Sequence, residues 1–487
     1  MKFEQKILEL LSSRYCMIYI TTEEEERLEY TLNNISQKKF KQQIYSWNFI
    51  DGYTKNPNYK GKSKKNPLEA LEIIHTIKNT NTSIFFLKDF NYFINDLSIT
   101  IKLKNISKSL KINNKYIIMN SRENEIPKIL QAYIRSTIFP PPNQKEIRLE
   151  LKRLSTILNI NITKNLDQLS AAYKGFSIET IRKSISTISF KKISYSQILS
   201  IVAREKKQLI EQNKVLAYYN NYHNLYDIAG LKNLKKWLKR RKQAFSTKAN
   251  NYGVKTPKGI LLVGIQGTGK SLSAQIIASE WQLPLLKLDV SRIFTGVLGE
   301  SENRFMNMIQ ICEQVAPCIL WIDEIDKIFM NTNSTNDSGT TNRINNIFLT
   351  WLSERISKIF IIATANNLNN LPTELLRKGR FDEIFFVQLP KFHERLNIFK
   401  IHLRKVRPLT WHKYNLYYLS KISIKFSGAE IEQCITDAMY NAFYEHREFQ
   451  TNDIKDSIEK TIPLSFTKNV EISLLEEWLN NGKIRKA

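Results

Sequence analysis

The sequence contains few cysteine residues. Only four of its 487 residues are cysteine, namely Cys16, Cys312, Cys318 and Cys434. They form no Cys-x-x-Cys pair, and no histidine stands at ligand spacing beside them, so the pattern indicates neither a structural zinc site nor a disulfide framework. We therefore expect the protein to work in a reducing compartment.

Long apolar runs are also missing. No stretch approaches the roughly eighteen residues that a membrane-spanning helix needs, and we expect no membrane insertion. The first twenty residues include Glu4 and Glu9, which is unlike a secretory or transit peptide. If the protein works inside an organelle, we therefore expect it to be made there.

Glycine is scarce, and acidic residues are outnumbered by basic ones. The chain has 15 glycines, and its 73 Lys and Arg outnumber its 46 Asp and Glu, giving a formal net charge of +27. Such an excess could indicate a nucleic-acid partner. The codon bias of an AT-rich genome enriches Lys, Asn, Ile, Phe and Tyr whatever the function of the protein, and it explains the excess better. Net charge by itself reports on solubility and non-specific binding rather than on a particular role. Nucleic acid is therefore an alternative partner and not the favoured one.

Three of the few glycines are concentrated in "GIQGTGKS" (264–271). The apolar "KGILLVG" (258–264) before them predicts a buried strand, and "KSLSAQIIASEW" (270–281) after them predicts a helix. A strand, a G-x-x-x-x-G-K-S turn and a helix form the phosphate-binding loop pattern. We expect backbone amides of the loop and the helix N-terminus to surround the β-phosphate, Lys270 to neutralise β- and γ-oxygens, and the Ser271 hydroxyl to hold Mg²⁺. The predicted phosphate-loop residues are Gly264, Ile265, Gln266, Gly267, Thr268, Gly269, Lys270 and Ser271.

A second apolar run, "PCILWIDEID" (317–326), ends in adjacent carboxylates. A strand that ends at Asp323 beside a phosphate loop would place this carboxylate near Mg²⁺, and Glu324 would then polarise the water that attacks the γ-phosphate. An Asp-Glu pair can also be a turn or a helix cap. Its position downstream of a phosphate loop favours the catalytic interpretation.

A third apolar run begins "KIFIIATAN" (358–366) and is followed by "ELLRKGRFD" (374–382). This combination resembles the AAA-type ATPases. The resemblance implies that Asn366 is a sensor that binds the attacking water or the γ-phosphate, and that Arg377 and Arg380 are arginine fingers that reach the nucleotide of a neighbouring subunit. A guanidinium suits this role because its planar fork matches phosphoryl oxygens. The alternative is a solvated basic turn.

The same resemblance extends to the adenine end of the site. The segment "LYDIAGLKNLKKWL" (225–238) is similar to the family segment that lies along the base, and "IFKIHLRKV" (398–406) and "FSGAEIEQCITDA" (426–438) are similar to its helical lid. The residues that the resemblance places at adenine and ribose are Ile228, Ala229, Gly230, His402, Gly428 and Ala429.

Two departures from the family limit the substrate prediction. Many remodelling members carry an aromatic pore-loop residue before "GES", whereas Val297 and Leu298 stand there in "IFTGVLGES" (293–301), which weakens the case for threading a polypeptide. The sequence has no His-Glu-x-x-His, so we expect no protease activity from this chain.

The first half contains a second copy of part of this pattern. "LDQLSAAYKGFSIETI" (166–181) and "LYYLSKISIKFSGAEI" (416–431) share Leu-x-x-Leu-Ser and Phe-Ser at an offset of 250 residues. Where a phosphate loop would stand, the first half has Thr21, Thr22 and glutamates at 23–26, which would repel a triphosphate. Asp89 follows the strand that corresponds to the carboxylate strand. We predict a degenerate ATPase-like domain; the alternative is an unrelated α/β domain.

The predicted fold class is α/β: a P-loop NTPase AAA+ module with a parallel sheet and helical lid, preceded by a degenerate ATPase-like α/β domain. The predicted boundaries are 1–190 for the degenerate domain, 191–222 for a helical connector, 223–390 for the large ATPase subdomain, 391–462 for the lid and 463–487 for a tail.

Across the whole chain the sequence resembles the plastid and cyanobacterial family called hypothetical chloroplast reading frame forty-six. This resemblance implies an organelle-encoded protein of the plastid stroma that uses ATP and Mg²⁺. We expect a homo-oligomer, as a hexameric ring, whose ATP hydrolysis remodels or regulates an unknown protein client. The alternatives are a nucleic-acid-associated ATPase and a nucleotide-gated scaffold with little turnover.

Overall fold

A computed structural model describes most of the chain. The described residues are 2–54, 60–77, 82–122, 126–160, 165–190, 195–212, 215–219, 227–294, 300–330, 338–368, 370–377 and 379–487. The pore-loop positions Val297 and Leu298 lie outside them. The chain separates into two compact units, Met1–Val202 and Ala203–Ala487.

Among the described residues, each unit contains one sheet. The strands are β1 Met17–Thr21, β2 Tyr45–Asn48, β3 Gly52–Thr54, β4 Ser83–Leu87, β5 Lys115–Ser121, β6 Ile134–Ile138, β7 Leu216–Tyr219, β8 Gly259–Val263, β9 Leu285–Leu288, β10 Cys318–Ile322, β11 Ile359–Ala365, β12 Glu383–Phe386 and β13 Arg485–Lys486.

Helices surround both sheets. They are α1 Lys2–Ser12, α2 Glu25–Phe40, α3 Pro67–Thr76, α4 Leu97–Ile112, α5 Gln144–Ile157, α6 Leu166–Ala172, α7 Ile178–Phe190, α8 Tyr195–Glu211, α9 Lys232–Arg241, α10 Thr247–Asn251, α11 Lys270–Trp281, α12 Val290–Ile293, α13 Glu300–Val315, α14 Asp326–Met330, α15 Ser338–Glu354, α16 Phe392–Val406, α17 Leu416–Ile422, α18 Gly428–Tyr444, α19 Thr451–Lys460, α20 Leu464–Thr467 and α21 Asn469–Asn480. Among the described helices, none has the length and apolar character to cross a membrane.

The sheet of the second unit has the order β13-β12-β8-β11-β10-β9-β7. All of its neighbouring strands are parallel except β7, which runs antiparallel to β9. Every residue of β8, β10 and β11 is buried, as expected for apolar strands covered on both faces. In such a sheet the carboxyl ends of parallel strands lie along one edge, where ligands bind. The phosphate loop, the Asp-Glu pair and Asn366 therefore all begin at that edge.

The sheet of the first unit has the order β3-β2-β4-β5-β1-β6. Its parallel strands β6, β1, β5, β4 and β2 correspond in order to β12, β8, β11, β10 and β9 of the second unit. The helices of the repeat also correspond, because α6 and α17 have the same length and begin 250 residues apart. The starts of α7 and α18 are also 250 residues apart. The prediction of an ATPase-like fold in the first half is thereby confirmed.

The charges at the strand ends differ between the two units. Leu87 pairs with Met119 as Ile322 pairs with Ala363, so the residue after β4, Lys88, corresponds to the residue after β10, which is an aspartate. A lysine in the first unit thus takes the place of the carboxylate that the second unit offers to a metal.

Acidic residues surround this lysine. Lys88 Nζ lies 3.0 Å from Glu25 Oε1 and 2.9 Å from Glu29 Oε2. Glu25 is the first residue of α2, just as Lys270 is the first residue of α11. The signs of the loop charge and of the strand-end charge are therefore exchanged between the two units. That the first unit does not bind a nucleotide–metal pair stays a prediction.

The glutamates at 23–26 form internal contacts in the first unit. Glu24 Oε1 accepts a hydrogen bond from the Ile178 backbone N–H at the start of α7, at 2.7 Å. Arg182 on α7 lies 3.3 Å from Glu26 Oε2. These contacts join the start of α2 to the helices that correspond to the lid.

Helix α21 and strand β13, near the end of the chain, pack against the sheet of the second unit. Leu475 on α21 is 4 % exposed and belongs to the core beneath β8, β10 and β11. The Ala487 backbone N–H donates to Phe386 O at 3.0 Å, beside the short parallel strand β13. The sequence pattern does not predict this edge strand, which has only two residues.

We predict that Lys88→Met destabilises the first unit by about 3 kcal/mol, because buried Glu29 would lose its partner cation. Urea-dependent hydrogen exchange of β4 and β5 measures this in the intact chain. The matched control is Lys102→Met, which removes an exposed pair with Glu72 and should cost less than about 1 kcal/mol. Equal losses in the two variants would contradict the buried ion-pair account.

Candidate functional site

A cleft of about 350 Å³ lies between the carboxyl edge of the second sheet and the lid helices. Its lining includes most of the predicted nucleotide residues, namely Ile228, Ala229, Gln266, Gly267, Thr268, Gly269, Lys270, Ser271, Asp323, Glu324, Asn366, His402, Gly428 and Ala429. The predicted residues Gly230, Gly264 and Ile265 adjoin this lining without belonging to it. Their roles in binding ATP, like those of the lining residues, stay predictions.

The glycines of the phosphate loop are required by its conformation. Gly267 and Gly269 have φ values of +79° and +91°, which residues with a Cβ rarely adopt. A Cβ on Gly267 would also lie 2.8 Å from Ser427 Oγ and 3.0 Å from the Ala429 Cβ. The loop therefore turns tightly and lies against the lid.

Lys270 is almost entirely buried at the base of the cleft. Its Nζ donates to Gly264 O at 2.6 Å, to Ile265 O at 2.8 Å and to Asn366 Oδ1 at 3.0 Å. Burial lowers the pKa of Lys270 to about 8, although the carboxylates of Asp326 and its neighbours act in the opposite direction. The ammonium group thus joins the loop to the end of β11.

Asp323 is held at the end of β10 by two hydroxyl groups. Its Oδ1 accepts hydrogen bonds from Thr364 Oγ1 at 2.7 Å and from Ser271 Oγ at 3.1 Å. Thr364 Oγ1 in turn accepts from the Glu324 backbone N–H at 2.9 Å. Thr364 is a site residue that sequence reasoning missed. Its position two residues before Asn366 on the same strand was the available signal, because alternate residues of a strand point to the same face.

Glu324 and Asn366 are hydrogen-bonded to each other. Asn366 Nδ2 donates to Glu324 Oε1 at 3.1 Å. An ion pair with Lys327, helped by this amide, holds the pKa of Glu324 below its usual value. A carboxylate and an amide side by side at the strand ends can orient and polarise a water molecule.

Asp326 is a third carboxylate of the site, after Asp323 and Glu324. The sequence alone assigns it no role, although it lies in the quoted "DEID". It is 5 % exposed, and burial raises the pKa of its carboxyl group. Its Oδ2 accepts from the Asn366 backbone N–H at 3.4 Å. Asp326 therefore supports both Asn366 and, through its charge, Lys270.

The lid helices α16–α19 share their own apolar core and meet the phosphate loop directly. The Ala429 backbone N–H donates to Gly267 O at 3.1 Å. Ser427 caps α18 in a reciprocal arrangement with Glu430, which fixes the start of that helix. The lid and the loop therefore close the cleft together.

His402 faces the cleft from α16. Its Nδ1 lies 3.4 Å from Glu432 Oε1. Burial lowers the pKa of His402, and the nearby Glu432 charge acts in the opposite direction. A neutral imidazole at this position suits contact with an uncharged base or ribose.

Arg377 and Arg380 lie on the connection between β11 and β12, outside the cleft lining. Arg377 is exposed, and Arg380 Nη1 has no hydrogen-bond partner among the described residues. As far as the structure describes the lining, it contains no arginine. A role for these two residues at the nucleotide of a neighbouring subunit stays a prediction.

We predict that affinity for a fluorescent ADP analogue in EDTA falls as pH rises from about 7 to 9.5. Lys270 is protonated below its pKa of about 8 and loses its charge above it, so affinity should decline by up to about tenfold per pH unit in the alkaline range. The control is Lys270→Arg, whose guanidinium stays charged throughout. The same decline in both proteins would show that another group titrates.

Comparison with known proteins gives matches in both halves of the chain. A model of the ATPase family associated with various cellular activities (AAA) matches residues 260–389. A model of the SpoVK-like AAA ATPase N-terminal domain matches residues 3–138.

Individual relatives match over the full length. The chain is 50 % identical to the uncharacterized AAA domain-containing protein ycf46 of Gracilaria tenuistipitata var. liui over 100 % of both chains. It is 49 % identical to the protein of the same name in Guillardia theta, over 100 % of this chain and 97 % of the relative. It is also 35 % identical to the proteasome-activating nucleotidase of Saccharolobus islandicus (strain M.14.25), over 43 % of this chain and 54 % of the relative.

Proposed function

Because the chain belongs to the ycf46 family of AAA domain-containing proteins, we propose that it is an Mg²⁺-dependent ATPase whose hydrolysis of ATP remodels or regulates a protein partner. The observation that carries this proposal is one hydrogen-bonded network at the carboxyl edge of the second sheet. It joins Lys270, Ser271, Asp323, Glu324 and Asn366, and Thr364 connects the Asp323 end to the Glu324 end.

The donor set at Ser271 and Asp323 fits Mg²⁺. A hydroxyl oxygen and a carboxylate oxygen lie 3.1 Å apart there, and both are the hard oxygen ligands that Mg²⁺ prefers. When bound, Mg²⁺ would neutralise charge that develops on the phosphate oxygens. Thr364 keeps Asp323 in place through its hydrogen bond to Oδ1.

The other residues act on the substrate and on water. Lys270 exchanges its contacts with loop carbonyls for the β- and γ-phosphate oxygens of ATP, and the loop amides bind the same phosphates. Glu324 polarises the attacking water, and Asn366 orients it through the amide that now holds Glu324. Ile228, Ala229 and His402 bind the base and ribose.

Completion of the site requires a neighbouring subunit. A transition state with charge on three phosphoryl oxygens is commonly stabilised by arginine, and none lines this cleft in the described residues. We assign this role to Arg377 and Arg380 of an adjacent copy. Because each copy both gives and receives these residues, the contact is head-to-tail. We propose that it closes into a hexameric ring.

The proposed setting is the plastid stroma, with the gene encoded in the organelle. The AT-rich amino-acid bias and the full-length match to the ycf46 proteins of Gracilaria tenuistipitata var. liui and Guillardia theta support this proposal. The same bias accounts for the net charge of +27 without nucleic acid, which favours a protein client.

Glu324→Gln should lower ATP hydrolysis at least about 100-fold while ATP binding changes less than about threefold, because the glutamine keeps the shape but cannot act as a base. Phosphate release and binding of a fluorescent ATP analogue measure the two effects. Glu313→Gln, at an exposed position on α13, is the matched control and should hydrolyse ATP normally. Normal hydrolysis by Glu324→Gln would contradict the proposed role, and negligible turnover by the unaltered protein would favour the scaffold.

A mixing experiment tests the shared site. Arg380→Ala and Lys270→Ala should each be inactive alone, because the first lacks the arginine given to a neighbour and the second lacks the phosphate-loop lysine. A 1:1 mixture should recover about one quarter of normal activity, the fraction of sites that combine an intact loop with an intact arginine by random assembly. No recovery in a mixture that demonstrably co-assembles would contradict catalysis between subunits.

A further inference from the structure

Lys287 is a charged residue in an otherwise apolar strand. It is the third residue of β9, whose other three residues are buried leucines. Its side chain is 29 % exposed and stands opposite Trp321 in the parallel pairing with β10. The Nζ atom lies 4.2 Å from the centroid of the Trp321 ring, so the position of the ammonium group is defined by packing.

The ammonium group of Lys287 faces the proposed metal carboxylate. Lys287 Nζ lies 3.4 Å from Asp323 Oδ2, whereas the two hydroxyl donors, Thr364 and Ser271, both bond to Oδ1. One oxygen of Asp323 thus has neutral partners and the other has a cation beside it. The nucleotide mechanism assigns no role to this cation.

A fixed cation beside a metal carboxylate opposes the binding of a divalent cation. It repels the second ion directly, and it already neutralises part of the carboxylate charge that would attract the metal. Solvent partly screens the interaction at this partly exposed site, and a unit charge several ångströms from a divalent ion changes the ion's affinity by roughly tenfold.

We propose that Lys287 weakens the affinity of the Ser271–Asp323 site for Mg²⁺, so that tight nucleotide binding requires a higher free Mg²⁺ concentration than the metal ligands alone would require. This inference rests on the proposed function, which places Mg²⁺ at these two residues. Lys287 is thus a residue that sets the metal requirement of the site rather than a catalytic residue.

The test measures binding of a fluorescent ADP analogue at a series of free Mg²⁺ concentrations. Lys287→Met keeps the aliphatic chain over Trp321 and removes the charge, and it should lower the Mg²⁺ concentration for half-maximal binding about tenfold. Lys287→Arg keeps a cation and should stay within about twofold of the unaltered protein. The difference between Lys287→Met and the unaltered protein should shrink in about 0.5 M KCl, because salt screens the repulsion.

Binding in EDTA separates this role from a direct contact with phosphate. If Lys287 acts only on the metal, Lys287→Met should bind the ADP analogue in EDTA within about threefold of the unaltered protein. A loss of about tenfold or more in EDTA would show a phosphate contact, as expected for a lost charge-assisted hydrogen bond, and would overturn the inference.

Two further outcomes are decisive. An unchanged or increased Mg²⁺ requirement in Lys287→Met, with normal nucleotide binding, would overturn this inference and leave the proposed function standing. Failure of the unaltered protein to bind nucleotide at any Mg²⁺ concentration would overturn the proposed function, and this inference with it.

Discussion

The ammonium group of Lys270 is the interaction on which the rest of the site depends. It is buried, and it is held by two loop carbonyls and by Asn366 at the end of β11. A buried cation is costly unless it is surrounded by acceptors, and here the acceptors come from two different strand ends. Those strand ends meet because the sheet is parallel and its carboxyl ends share one edge. The site therefore depends on the parallel strand order and on the position of the Lys270 ammonium group.

The two units share their strand order, and the helices of the repeat begin 250 residues apart, but the charges at the carboxyl edges of the two sheets differ. A shared backbone architecture does not by itself determine the chemistry of such an edge. In the first unit Lys88 follows the strand where the second unit has Asp323, and Glu25 begins the helix where the second unit has Lys270. The exchanged charges still attract each other, which stabilises the first unit. Their signs, however, suit neither a triphosphate nor its metal.

The sequence predicts those parts of the site that are continuous with a strong local pattern. Each apolar strand is followed directly by site residues, namely the phosphate loop, the pair Asp323 and Glu324, and Asn366. Recognising the apolar strands in the sequence therefore also locates these residues. Thr364 and Lys287 lie within strands rather than after them, and their assigned roles depend on contacts with Asp323 at the end of the neighbouring strand β10. The strand β13 has two residues and no periodicity to detect. The role of Arg377 and Arg380 depends on a second copy of the chain.

The most direct test of the central claim is nucleotide binding by Lys270→Ala. Removal of the ammonium group should weaken binding of a fluorescent ATP analogue about 100-fold, the equivalent of one or two charge-assisted hydrogen bonds, and should abolish hydrolysis. The first unit, none of whose described residues lines this cleft, should keep its hydrogen-exchange protection in the same protein. Binding and hydrolysis equal to those of the unaltered protein would contradict the account, because the phosphates would then be bound elsewhere.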